Sequence, residues 1–118
     1  MVKFICYPKC TTCQRAKAWL DAHGVEYVQR DIKLDNPTYG ELADWSQEGG
    51  VNVRKLFNTS GLLYKAMDLK TKLPGMTDEE MLRLLATDGM PVKRPLIIGD
   101  GYVLVGFREA EYAAKFGE

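Results

Sequence analysis

Lys3-Phe4-Ile5-Cys6-Tyr7-Pro8-Lys9-Cys10-Thr11-Thr12-Cys13-Gln14-Arg15-Ala16-Lys17-Ala18-Trp19-Leu20 is the stretch on which the fold turns. Lys3 to Tyr7 is short, apolar and stopped by Pro8, the pattern of a buried strand. From Thr11 to His23 the period changes. Ala16, Trp19, Leu20 and His23 recur at i, i+3, i+4 and i+7, which makes one inner stripe of a helix, while Gln14, Arg15, Lys17 and Asp21 take the outer face. Gly24 follows as a helix terminator. Glu26 to Asp31, with Val25, Tyr27 and Val28 as its apolar residues, reads as a second strand. A strand–helix–strand unit of this length favours parallel pairing of its strands through a right-handed crossover.

The region from roughly 36 to 90 reads as helical. Thr38-x-x-Glu41 after Pro37 is a capping box, with Leu42 and Trp45 on the apolar side of the helix it opens. Gly49-Gly50 breaks that helix, Val51 to Leu56 is a short second piece, and Asn58-Thr59-Ser60-Gly61 is a turn. Thr77-Asp78-Glu79-Glu80 caps a further helix whose core face is Met81, Leu82, Leu84 and Leu85, closed by Asp88-Gly89. Pro95 to Ile98 and Tyr102 to Val105 flank Gly99-Asp100-Gly101 and read as an antiparallel hairpin. Glu109 to Phe116 is a last helix with Tyr112, Ala113 and Phe116 inward. The order is βαβ, a helical insert, then ββα, read as one continuous domain over 1–118.

The 118 residues carry 16 Lys plus Arg and 16 Asp plus Glu. Zero formal net charge provides no long-range attraction to nucleic acid or anionic lipid, so neither is expected as a partner. No apolar window is long enough to span a bilayer, and the short run before Pro8 lacks the long apolar core of a signal peptide. A cytoplasmic location is the expectation. The three cysteines all lie between residues 6 and 13, too close together to staple distant loops, so in a reducing compartment they read as catalytic or metal-binding.

Cys10-Thr11-Thr12-Cys13 falls at the join of the first strand and first helix, and there a C-x-x-C reads as a thioredoxin-like redox pair. Unpaired N–H groups and a partial positive charge at the helix start stabilise a thiolate and lower its pKa. Cys10, before the first turn, is expected to be the exposed nucleophile. Cys13 lies on the inward stripe and is expected to be buried, suited to resolving a mixed disulfide formed at Cys10. Lys9 places a positive charge beside them. The alternative, two cysteines packed as small apolar residues, has less support at this placement. Cys6-x-x-x-Cys10-x-x-Cys13 matches the spacing of a cluster-binding radical motif, but Cys6 falls within the strand and the chain is too small for such an enzyme. Zinc is not expected either, since no second cysteine pair exists and His23 is the only histidine. His23 is expected to be a core or helix-end residue.

Lys93-Arg94-Pro95 precedes the third strand. A cis Pro95 would bring backbone near Cys10, leave a groove where an extended substrate pairs, and aim Arg94 at the thiolate or a bound oxyanion. A surface Arg94 before an ordinary trans proline is the equal alternative.

Tyr7-Pro8-Lys9-Cys10-Thr11-Thr12-Cys13-Gln14-Arg15-Ala16, then Arg94-Pro95 before an apolar strand, then Val105-Gly106-Phe107-Arg108 before the last helix, resembles the arsenate reductase/Spx-like family over nearly the whole chain. The resemblance implies an α/β, thioredoxin-like (glutaredoxin-like) three-layer fold, with a mixed four-stranded sheet and a helical insertion. It matches Cys10 to the attacking cysteine, Arg94 to an arginine that holds an oxyanion, and Arg108 loosely to a further active-site arginine. It implies no bound cofactor, a small thiol or oxyanion substrate, and glutathione, glutaredoxin or thioredoxin as the source of reducing equivalents. Two features depart from the reductases: no arginine stands in Asn58-Thr59-Ser60, and Cys13 is present. The Spx-like branch implies instead a C-x-x-C switch and the RNA polymerase alpha subunit as partner; Gly49-Gly50 lies near the polymerase-contacting region, but the chain ends at Gly117-Glu118 without that branch's longer basic tail.

Overall fold

In the computed structural model, which describes residues 1–117, four strands and six helices follow in the order β1 Val2–Cys6, α1 Thr11–Ala22, β2 Tyr27–Asp31, α2 Tyr39–Glu48, α3 Leu62–Ala66, α4 Leu69–Lys72, α5 Asp78–Thr87, β3 Leu96–Ile98, β4 Val103–Val105 and α6 Glu109–Phe116. Short 3-10 turns occupy Val53–Leu56 and Leu73–Gly75. The sheet order is β2-β1-β3-β4. β1 and β2 are parallel, whereas β1–β3 and β3–β4 are antiparallel, with Phe4 opposite Ile97 and Ile97 opposite Leu104. This is the mixed four-stranded α/β sheet expected from a βαβ unit followed by a hairpin.

Alternation along the strands divides the interior into two cores. Phe4, Cys6 and Ile97 point to one face, where they pack with Cys13, Ala16 and Leu20 of α1 and Tyr112 of α6. Ile5 and Leu96 point to the other, against Leu42 and Trp45 of α2, Val53, Leu56, Leu69, Leu73 and the α5 residues Met81, Leu82 and Leu85. The layers are therefore α1 and α6, the sheet, and the helices between β2 and β3. Among the described residues no helix is long and apolar enough to cross a membrane.

The two capping boxes form as their spacing predicts. The Thr38 and Thr77 hydroxyls each accept from the N–H of Glu41 and Glu80, whose carboxylates accept from the Thr38 and Thr77 N–H groups in return. α3 and α4 were not separately legible; Asp68, with a positive φ of 53°, lies between them. His23 resolves as a helix-end residue rather than a core one. It is exposed after α1, its ring stacked on Trp19 at a centroid distance of 3.7 Å, and its Nδ1 lies 2.8 Å from the Trp19 carbonyl oxygen.

Candidate active site

Cys10 occupies the N-cap of α1. Its backbone is extended, its N–H donates to the Tyr7 carbonyl oxygen at 2.9 Å, and its own carbonyl accepts from the Gln14 N–H at 3.0 Å. The turn after β1 and the first turn of α1 thus hold the residue from both sides. Its side chain is half-buried. Burial alone would push the thiol up. The N–H and thiol of Cys13, the N–H of Thr12 and the Arg94 guanidinium together outweigh that effect and bring Cys10 below the ordinary thiol value.

Cys13, one turn further along α1, is only 2% exposed and faces the sheet beside Cys6. Burial drives its thiol up to about 12, even though the Tyr7 N–H donates to its sulfur at 3.4 Å. Cys6 is also buried, and burial followed by the neighbouring Asp31 carboxylate raises it to about 11. Of three free thiols within eight residues of chain, one is lowered and reachable and two are raised and covered. This is the division of labour that a nucleophile and a resolving partner need.

Cys10 opens into a cavity of about 820 Å³, lined on the far side by the segment from Gly50 to Ser60 and on the near side by β4, Gly106 and the start of α6. Arg94 and Arg108 both line it. The Arg94-Pro95 peptide bond is cis. Arg94 Nη1 donates to the Met90 carbonyl oxygen at 2.6 Å, its guanidinium lies 5.4 Å from the Tyr7 ring centroid, and its Nε is buried without a partner. Pro95 is buried beneath, its carbonyl oxygen accepting from Gly106 N–H at 2.8 Å. Arg108 is exposed at the N-cap of α6.

Lys9 departs from expectation. It is exposed in the turn after β1 and does not line the cavity; the cation that acts on the Cys10 sulfur is Arg94, brought there from the far end of the chain. Conversely, Arg54 and Lys55 line the cavity from the 3-10 turn, and Lys93 joins them. The sequence signal was a basic pair bracketed by buried Val53 and Leu56, but which way such a pair faces is decided by where the turn docks. Asn58, Thr59 and Ser60 line the same wall, so this region does reach the site, with amide and hydroxyl groups in place of an arginine. Among the described residues Glu111 is the one carboxylate on the lining. Among the described residues, no three His, Cys, Asp or Glu side chains converge to hold a metal ion.

The arrangement can present one thiolate to an electrophile held in a basic, half-open cleft, and can supply a second sulfur from behind. A family model, that of the ArsC family, matches residues 6–115. The protein YusI of Bacillus subtilis is 44% identical over 109 residues, 92% of each chain. The regulatory protein MgsR of the same organism is 28% identical over 92% of this chain and 84% of its own. The crystal structure of an ArsC family related protein from Bacteroides fragilis superposes with a TM-score of 0.93 at 50% identity, covering 98% of this chain and 96% of that one.

Proposed function

The chain belongs to the ArsC family, and on that footing we propose that it is a cytoplasmic thiol–disulfide oxidoreductase in which Cys10 attacks and Cys13 resolves. The observation that carries this reading is the contrast between the two sulfurs: Cys10 half-exposed and acidified at the start of α1, Cys13 buried and raised to about 12 directly behind it. The Cys10 thiolate attacks one sulfur of a substrate disulfide, forming a mixed disulfide and releasing the other half as thiolate. Cys13 then gives up its proton and attacks the Cys10 sulfur, releasing the second half and leaving a Cys10–Cys13 disulfide. The substrate has gained two electrons. A dithiol of the thioredoxin kind, or two glutathione thiols, returns them to the protein. No bound cofactor takes part in this cycle.

The test is turnover of a small neutral disulfide, 2-hydroxyethyl disulfide, with glutathione or thioredoxin as reductant. Cys10→Ser is expected to abolish activity. Cys13→Ser, mixed with the disulfide in the absence of added thiol, is expected to stop at a Cys10 mixed disulfide that mass spectrometry detects. A Cys10→Ser protein that retains full turnover would end the proposal.

A second reading is favoured by Arg94 and Arg108 sharing the cavity with Cys10: the cleft holds an oxyanion, and Cys10 reduces arsenate. Arsenate-dependent NADPH consumption in a system coupled to glutaredoxin or thioredoxin tests it. The likeness to MgsR supports a regulator instead, in which the disulfide alters a surface that meets the RNA polymerase alpha subunit. Oxidation-dependent capture of that subunit separates this reading from both enzymes.

A further inference from the structure

We propose that the cavity beside Cys10 takes an acidic polypeptide segment in extended form, which adds as a fifth strand along the free edge of β4 and offers a cysteine disulfide to Cys10. The proposal rests on the thiol–disulfide reading and gives its substrate class.

The free edge is visible in the pairing. Among the described residues β4 pairs only with β3. Gly99 N–H donates to the Tyr102 carbonyl oxygen at 3.0 Å and Gly106 N–H to the Pro95 carbonyl oxygen at 2.8 Å, and midway between these rungs Leu104 stands opposite Ile97. In an antiparallel ladder the bonded pairs alternate with unbonded ones. Leu104 therefore directs its N–H and C=O at β3, and Val103 and Val105 direct theirs away from it. Among the described residues nothing accepts from or donates to the main chain of Val103 or Val105 on that side.

The cavity reaches this strand. Val103 and Val105 pack toward one core and Leu104 toward the other, on opposite faces of the sheet. All three line the cavity. Because the three side chains alternate between the faces, contact with all three brings the space to the strand's main chain, where the unspent groups of Val103 and Val105 are. Alternate residues of a strand are roughly 7 Å apart, so Val103 and Val105 offer two donor–acceptor pairs at the repeat of an incoming strand. Cys10 lines the same space.

Charge selects the occupant. Arg54, Lys55, Lys93 and Arg108 line the cavity and make no ion pair among the described residues, and Arg94 adds a fifth cation against the single carboxylate of Glu111. Zero net charge over the whole chain makes this local surplus a feature of the site. An extended segment carrying Asp or Glu on both sides of its cysteine meets both the edge and the cations. In the reaction, the Cys10 thiolate attacks the peptide cysteine's sulfur. The Cys10–peptide S–S bond forms, the bond to the outgoing thiol breaks, and the electron pair leaves with that thiolate.

The probe is the pentapeptide Glu-Val-Cys-Val-Glu activated as its mixed disulfide with thionitrobenzoate. It is reacted with the full chain carrying Cys13→Ser, so that the Cys10–peptide disulfide persists and thionitrobenzoate release reports the rate. Lys-Val-Cys-Val-Lys, activated in the same way, is expected to react at least about tenfold more slowly at low salt, with the gap closing as salt is raised. In the trapped complex, amide hydrogen exchange at Val103 or Val105 is expected to slow by at least about tenfold, while Leu104, already bonded to β3, changes little. A trapped complex in which neither Val103 nor Val105 gains protection, or equal rates for the two peptides at low salt, overturns the strand-addition proposal and leaves the oxidoreductase reading intact. Failure of wild-type protein to turn over 2-hydroxyethyl disulfide overturns that reading, and this one with it.

Discussion

At the scale of single residues, the chemistry depends on a sulfur held between two opposing effects. Burial disfavours the Cys10 thiolate, whereas the N–H groups at the start of α1 and the Arg94 guanidinium favour it, and the second set prevails. The sign follows directly. As pH rises, the reactive fraction of Cys10 grows earlier than that of an ordinary thiol, which titrates at 9.0. Alkylation of Cys10 by iodoacetamide, followed by peptide mass mapping against pH, is expected to inflect below the ordinary thiol range, and Arg94→Gln to move the inflection upward. Cys6 and Cys13, raised to about 11 and about 12, are expected to stay unlabelled in the folded protein at neutral pH. Tyr112 supports the same corner. It is fully buried against Phe107 and Trp19, and its hydroxyl donates to the Gly106 carbonyl oxygen at 3.0 Å, just past β4. Tyr112→Phe keeps the ring and leaves that carbonyl unpaired in the interior, at an expected cost of about 1–2 kcal/mol in urea unfolding.

At the scale of elements, the entry to α2 shows how one carboxylate serves two structures. Glu41 closes the capping box with the Thr38 N–H at 3.0 Å and also receives Arg30 of β2 in a two-pronged bond, at 2.6 and 2.9 Å. The Arg30 bond is the larger influence and, with the Thr38 N–H, holds Glu41 down at about 2 against an ordinary 4.5. A carboxyl lowered on folding contributes stability in full above its unfolded value and loses it as pH falls through the folded one. The contribution therefore fades between about pH 5 and 2. Glu41→Gln is expected to cost about 2 kcal/mol at pH 7, and the gap to wild type to narrow steadily toward pH 2, read from urea midpoints at each pH. At the other box Thr77→Ala is expected to cost about 1 kcal/mol, since only the cap is lost there. Both boxes were legible because a cap is written in four neighbouring residues. The second role of Glu41 was not, because Arg30 reaches it only once β2 and α2 are side by side.

At the scale of the whole molecule, the same rule separates what could be read from what could not. The βαβ unit, the terminal hairpin and the C-x-x-C at a helix start are all local patterns, and each formed where its period placed it. The basic wall of the cavity is not local: Arg54 and Lys55 line the space that Cys10 opens into because the 3-10 turn docks through Val53 and Leu56 onto the second core. Lys9, adjacent to Cys10 in sequence, points elsewhere. One place where the helical layer that carries the wall meets the rest of the fold closely is Gly89. It closes the chain after α5 against the end of the first unit, and a Cβ built there would lie 1.9 Å from the carbonyl oxygen of Ile32 and 2.8 Å from its carbon. Both obstacles are backbone, and Ile32 is fully buried with its N–H spent on the Cys6 carbonyl oxygen at 2.8 Å. Neither side can give without moving the layer. Gly89→Ala is therefore expected to destabilise by about 3 kcal/mol, at the upper end for overpacking, whereas Gly75→Ala, which meets nothing within 4 Å, should stay within about 0.5 kcal/mol of wild type. Because the strain would be relieved by shifting the helical layer, and Arg54 and Lys55 move with that layer, Gly89→Ala should also slow reaction of Cys10 with anionic disulfides more than with neutral ones. Equal slowing of both would mean that the wall does not move with the layer, and that the cavity's charge is held by something other than the docking described.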